Sequence, residues 1–190
     1  MSRFIRRQTP PEYADHYQYR PFLRIDFLER CAYCERSEAY LRGTDFFTVD
    51  HFQPKSKFPK LASHYPNLYY ACGKCNQYKA GTWPTPSLLS KGFRFSDPCE
   101  EDMYEEHLRE LQNGSLEALD NCGRYTCDHI RLNRPDLVLW RQWRIEVSRD
   151  VRVFKEMQRY LEGRLAFVSD PAEKDVIERT LALIASKLPL

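Results

Sequence analysis

The spacing of apolar positions changes along the chain, and each change predicts an element. Phe22, Leu23, Ile25, Phe27 and Leu28 give residues 21–30 the apolar side of a short amphipathic helix. Residues 45–52, DFFTVDHF, are rich in β-branched and aromatic side chains and predict a strand, broken by the loop 53–59 with its two prolines. Residues 67–71 predict a second strand. A helix opens at Asn76 and ends in the breaker-rich stretch 81–86. Asn113-Gly114 then marks a tight hairpin.

Beyond the hairpin the period is helical. A short helix is predicted over 125–132, broken near Pro135. A longer one carries Leu137, Trp140, Trp143, Val147, Val151, Phe154 and Leu161, and stops by Gly163. A last helix starts at Asp170-Pro171, a capping residue followed by proline at the first helical position, and holds Ile177, Leu181, Ile184 and Leu188. The stripe Trp140, Trp143 and Phe154 reads as core. The fold class is therefore α+β, a ββα core followed by a mainly α-helical C-terminal lobe. The domains read as an arm at 1–20, a core at 21–92, and a connecting hairpin with helices at 93–190.

Composition sharpens this in two places. Hydrophobic residues make up 42% and charged residues 29%, and no apolar run is long enough to span a bilayer. The basic start lacks an apolar stretch behind it, so a signal peptide is not expected and a cytoplasmic protein without membrane contact is. Net charge is +2, but residues 1–92 carry 14 Lys and Arg against 8 Asp and Glu, while residues 93–190 carry 15 against 19. The half with the motifs is the positive one, which suits a polyanion there.

Four of the 7 cysteines form two Cys-x-x-Cys pairs, Cys31/Cys34 and Cys72/Cys75. Each pair offers two thiolates from one turn, and together they complete a tetrahedral Zn²⁺ shell. Four protein ligands leave no open position, so such a zinc is structural, and the core is zinc-stapled. Cys99, Cys122 and Cys127 are left over and read as ordinary thiols. A second site built on Cys122, Cys127 and His129 lacks paired geometry.

Between and beside the pairs lie Val49-Asp50-His51-Phe52-x-Pro54, then Asn67-Leu68, then Asn76-x-x-Lys79 directly after Cys75. Over residues 28–82 this resembles the HNH (His-Me finger) endonuclease family. The resemblance implies that His51 activates water, that Asp50 and Asn76 hold a catalytic Mg²⁺ or Mn²⁺, and that Asn67 holds the His51 loop in place. The residue types suit the chemistry: a near-neutral imidazole suits a base, and hard oxygen donors suit Mg²⁺. Lys55, Lys57, Lys60, Lys74 and Lys79 are candidate nucleic-acid contacts. His16, His64, His107 and His129 match no family position and read as ordinary histidines.

The stretch Phe95-Ser96-Asp97-Pro98, the Asn113-Gly114 hairpin and the run from Gly123 to Arg134 also resemble bacterial HNH proteins of anti-phage defence, such as the nuclease subunit of Septu systems. That resemblance implies a DNA-cutting effector with an ATPase partner subunit. DNA is the expected substrate, with RNA left open. The competing reading is a non-catalytic, zinc-stabilised nucleic-acid- or protein-binding module on the same scaffold.

Overall fold

Two antiparallel strands stand at the centre of the site-bearing region: β1 (Phe47–His51) and β2 (Leu68–Cys72), with Phe47 opposite Cys72 and His51 opposite Leu68. This is a computed structural model, and it describes residues 4–41 and 43–187. Leu188, assigned above to the last helix, lies outside the described residues. All five residues of β2 are buried, so this strand is covered on both faces.

The first helix, α1 (Arg20–Asp26), is shorter than its apolar pattern predicts. Leu28 and Glu29 take left-handed φ values of 53° and 57°, which stops the helix and turns the chain toward Cys31. Leu23 and Phe27 are fully buried, whereas Ile25 and Leu28 point outward. A helix of two turns has room for one narrow apolar stripe, not five residues.

The arm before α1 is packed rather than loose. Phe4 is buried with its ring 5.0 Å from that of Phe27, and Arg7 forks onto Asp26 at 2.8 and 3.0 Å. A 3-10 turn, His16–Tyr19, follows, capped by the Asp15 side chain accepting from the Tyr17 amide.

Helix α2 (Gly73–Lys79) begins with Cys72 as its cap, three residues earlier than the pattern suggests. Cys75 and Asn76 therefore sit inside the helix. Short helices α3 (Pro86–Leu89) and α4 (Met103–Glu106) lead to a second antiparallel pair, β3 (Leu108–Glu110) and β4 (Leu116–Ala118). Their connection is longer than a two-residue turn, with the Leu111 amide on the Ser115 carbonyl and Gly114 at φ 76°. Asn133 brackets the Leu116 backbone, accepting from its amide and donating to its carbonyl, both at 2.7 Å.

Helix α5 (Asn121–Ile130) is capped by Asp120, whose Oδ1 accepts from the Gly123 amide at 2.7 Å. Gly123 lies so close to the backbone of His107 that a Cβ there would meet its carbonyl oxygen at 2.0 Å. The helix ends at Arg131, φ 53°.

Two long helices complete the chain, α6 (Pro135–Leu165) and α7 (Pro171–Lys187). Gly163 does not stop α6, because one helical glycine costs only about 1 kcal/mol relative to alanine. By packing, one compact unit takes the chain through Leu111 and then Ser115–Val138; the other takes Gln112–Gly114 and Leu139 onward. In the second unit Trp140, Ile177 and Ile184 are buried. Trp143, expected in the core stripe, is 53% exposed, and Phe154 is only partly covered. The stripe is too long for the apolar cover available. Among the described residues no helix is long and apolar enough to cross a membrane.

Candidate active site

The four paired cysteines meet. Their sulfurs all lie within 4.8 Å of one another, every one buried, with Cys34 and Cys72 Sγ atoms 3.9 Å apart. Zinc–sulfur bonds of 2.3 Å at tetrahedral angles require sulfurs about 3.8 Å apart, so the set fits Zn²⁺. The thiols are not alike. Hydrogen bonds from Cys31, Cys72 and Cys75 hold Cys34 well below its ordinary range, while burial pushes Cys31 and Cys75 up. Arg134 donates to Cys75 Sγ at 3.3 Å, and the charge of Arg36 acts on Cys34. Two guanidinium groups thus offset the negative charge that four thiolates around Zn²⁺ would carry. Nothing in the local sequence pattern pointed to either arginine, since Arg134 is 59 positions from Cys75.

The first cysteine turn is docked on β2 by the Ala32 amide, which donates to the Tyr70 carbonyl at 2.8 Å. That docking sends Tyr33 inward, where its hydroxyl donates to Asp50 Oδ2. Lys79, fully buried, reaches the same Oδ2 at 3.0 Å and also donates to the His51 carbonyl at 2.6 Å. Lys79 is therefore not a surface phosphate contact, as proposed from its place one turn after Asn76. Helix α2 turns it into the core, where an ammonium needs a buried carboxylate. Burial raises the pKa of Asp50 and lowers that of Lys79, with each partner's charge acting against that shift in the other. Oδ1 of Asp50 keeps no protein donor among the described residues, and Asp50 lines an open cavity.

His51 closes β1 and lines the same cavity. Its Nε2 stands 2.8 Å from the Ala62 carbonyl oxygen. A carbonyl only accepts, so Nε2 carries the proton and Nδ1 keeps its lone pair. Burial, aided by the charges of Lys55 and Lys79, lowers the pKa of His51 despite the opposing pull of Ala62 and Asp50. The shift favours the neutral ring.

Asn67 ties down the loop after β1. Its Oδ1 accepts from the Gln53 amide at 2.8 Å, its Nδ2 donates to the carbonyls of Gln53 and Leu61, and its own carbonyl accepts from the Phe52 amide. Asn76 faces the cavity from α2, with a side chain that hydrogen-bonds no protein group among the described residues. One carboxylate oxygen and one amide side chain, both without protein partners at one cavity, suit a divalent cation that keeps several waters.

The other lysines divide. Lys55 is exposed and lines the cavity; Lys57 is exposed nearby, its ammonium 3.4 Å from the Trp83 carbonyl. Lys74 lines a different hollow with Arg36 and Asp136, and pairs with Asp136 at 3.6 Å. His16 lines the same cavity as Asp50, His51 and Asn76, 4.7 Å from His51 ring to ring, although its sequence context gave no signal for it. Glu101, His107 and Cys122 also cluster within 4.8 Å, but Arg94 forks onto Glu101 and Asp120 takes His107 Nδ1 at 2.6 Å, so ion pairs already satisfy this group. Cys122 belongs to that network and not to a site with His129.

Residues 31–81 match the family model for HNH endonuclease. The chain therefore carries an HNH endonuclease domain, running from the first of the four clustered cysteines to just past α2. It is also similar to the Septu protein PtuB of Bacillus thuringiensis, 29% identical over 126 residues. That alignment covers 64% of this chain and 45% of the relative, so the chain matches less than half of that protein's length.

Proposed function

We propose that this chain is a metal-dependent endonuclease that hydrolyses a phosphodiester of DNA. The observation that carries the reading is the anchoring of His51 Nε2 on the Ala62 carbonyl, beside Asp50 and Asn76 on one cavity. That hydrogen bond selects the tautomer in which Nδ1 is the base. Water attacks phosphorus and gives its proton to His51 Nδ1, the new P–O bond forms, and the bond to the 3′-oxygen breaks. The departing 3′-oxygen then takes a proton from solvent, leaving a 5′-phosphate and a 3′-hydroxyl. Asp50 Oδ1 and the Asn76 side-chain oxygen would hold Mg²⁺ or Mn²⁺, which when bound supplies positive charge for the phosphate and the leaving oxygen. Tyr33 and Lys79 hold Asp50 for that task, and Asn67 holds the loop that follows His51. The four cysteines would hold a structural Zn²⁺.

The similarity to a Septu protein supports a place in a defence system with other subunits; an ATPase among them is what the sequence resemblance implies, and the cytoplasm is the location this reading carries. Plasmid cleavage with Mg²⁺ or Mn²⁺ tests the chemistry. Nicking by the wild type that disappears in His51→Ala supports it. Equal behaviour of the two proteins, with and without a co-expressed ATPase subunit, would leave the binding-module reading in its place. Offering an RNA of the same sequence decides between the nucleic acids.

A further inference from the structure

His16 comes from the arm, outside the residues that match the family, yet it forms part of the cavity wall with Asp50, His51, Lys55 and Asn76. Its ring lies 4.7 Å from the ring of His51, tilted by 57°. The placement is built rather than incidental. Asp15 caps the 3-10 turn that carries His16, and the next residues lead into buried Tyr19, whose hydroxyl accepts from the Tyr13 amide at 2.8 Å. Ser63 donates to the Ala14 carbonyl, fastening the arm to the loop whose Ala62 anchors His51. One loop thus orients both imidazoles.

Among the described residues the ring nitrogens of His16 make no hydrogen bond to the protein. The nearest carboxylate oxygen, Asp15 Oδ1, is 3.6 Å away and already accepts from the Tyr17 amide. A histidine kept for packing would hide its ring or satisfy its nitrogens. This one is partly exposed beside His51, on the wall of the cavity that would take the phosphodiester. Lys55 lies on the same wall and is exposed. The two bring donors to the site from outside the metal-holding pair.

We infer that His16 is a further catalytic residue, donating a hydrogen bond from its ring to a non-bridging oxygen of the scissile phosphodiester. It makes and breaks no covalent bond; the proton from water still goes to His51. The donor strengthens as negative charge builds on the phosphoryl oxygens, so its effect falls on the rate of the bound complex more than on binding. This inference rests on the nuclease reading above.

Two measurements test it. In single-turnover cleavage of plasmid with Mg²⁺, His16→Ala and His16→Phe should slow the step by roughly tenfold or more at saturating protein, with apparent affinity changed by less than about twofold. Phenylalanine keeps the ring packing and loses the donor; His16→Gln, which keeps a donor, should recover part of the rate. If His16→Phe cuts within about twofold of wild type, the ring only packs and the inference is overturned. The second measurement needs no turnover. Ring ¹⁵N signals of His16 are followed in the His51→Ala protein with Mg²⁺ as the dinucleotide thymidylyl-thymidine is added. Saturable movement of those signals supports the contact, and signals that stay in place overturn it. Should the wild type fail to cut both with and without the co-expressed ATPase subunit, the nuclease reading fails by itself, and the dinucleotide titration still decides whether His16 meets a phosphodiester.

Discussion

The hydroxyl of Tyr33 donates a hydrogen bond to Oδ2 of Asp50, so a residue inside the first cysteine turn holds the carboxylate of the candidate metal site. Cys31 and Cys34 flank Tyr33 closely, and Cys75 directly precedes Asn76. The proposed zinc cluster therefore reaches both proposed metal-holding side chains, one through a hydrogen bond and one through the chain.

Removing that hydroxyl separates its role from folding. Tyr33→Phe keeps the buried ring and leaves Lys79 on Asp50 Oδ2. Cleavage should fall by about 10- to 100-fold, the usual cost of losing a partner that orients a metal-holding group, with the optimum shifted to higher Mg²⁺. A Mg²⁺ titration checks this; an unchanged curve means Asp50 is positioned without Tyr33.

Lys79 should matter to stability as well as to activity. Lys79→Met strands Asp50 in the core without its cation, and breaking a buried pair in this way costs about 3–5 kcal/mol. Urea unfolding at neutral pH measures the loss. The double variant Asp50→Asn, Lys79→Met should regain part of it, because no lone charge is then left buried. If the double variant is as unstable as the sum of the singles, the two residues are not a pair.

Zinc should be held at about one ion per chain, and Cys75→Ser should lose it. Because Cys75 lies in α2 beside Asn76, loss of the ion should loosen the start of that helix and abolish cleavage in a way that excess Mg²⁺ does not rescue. Metal analysis with a thermal melt reads both effects. A zinc-free variant with the melting temperature of the wild type rules out a structural ion.

The ion-pair network beside α5 predicts a pH-dependent stability. Burial disfavours the His107 imidazolium, but Glu101 and Asp120 outweigh it and raise the pKa above its ordinary value. Glu101 is held down to about 2: burial resists this, and Arg94 and His107 prevail. A raised histidine pKa stabilises the fold below the unfolded value and loses that contribution as pH climbs through the folded one. His107→Gln should therefore lower Tm more at about pH 6 than at about pH 8.5. Equal penalties at both would mean the charge of His107 contributes nothing.

At Gly123 the close approach to His107 leaves no room for a methyl group. Although alanine favours helices, Gly123→Ala should destabilise the protein, by about 1–3 kcal/mol as for other overpacked sites. A gain in Tm would mean that α5 can move away from His107.

What the amino-acid sequence determined by itself was which chemistry-bearing residues stand together at short range. The two cysteine pairs, the Asp50-His51 step at the end of a strand, and Asn76 next to Cys75 are all read from neighbours, because a turn or a strand end places such residues with little help from the rest of the chain. The ββα order followed for the same reason: hydrophobic period and breakers are local. Asn67 was singled out only through the family resemblance; its hydrogen bonds to Gln53 and Leu61 were not legible from the residues around it. Only the tertiary structure decided which way side chains face. It turned Lys79 inward to Asp50, brought Arg134 to Cys75 across 59 positions, and set His16 against His51 across the gap between arm and strand. It also left Trp143 half exposed where periodicity predicts core. Period tells that a residue lies on an apolar or polar face, but burial depends on whether another part of the chain arrives to cover it. Hydrogen bonds and ion pairs between distant residues form only once that covering has removed the water that would otherwise satisfy them.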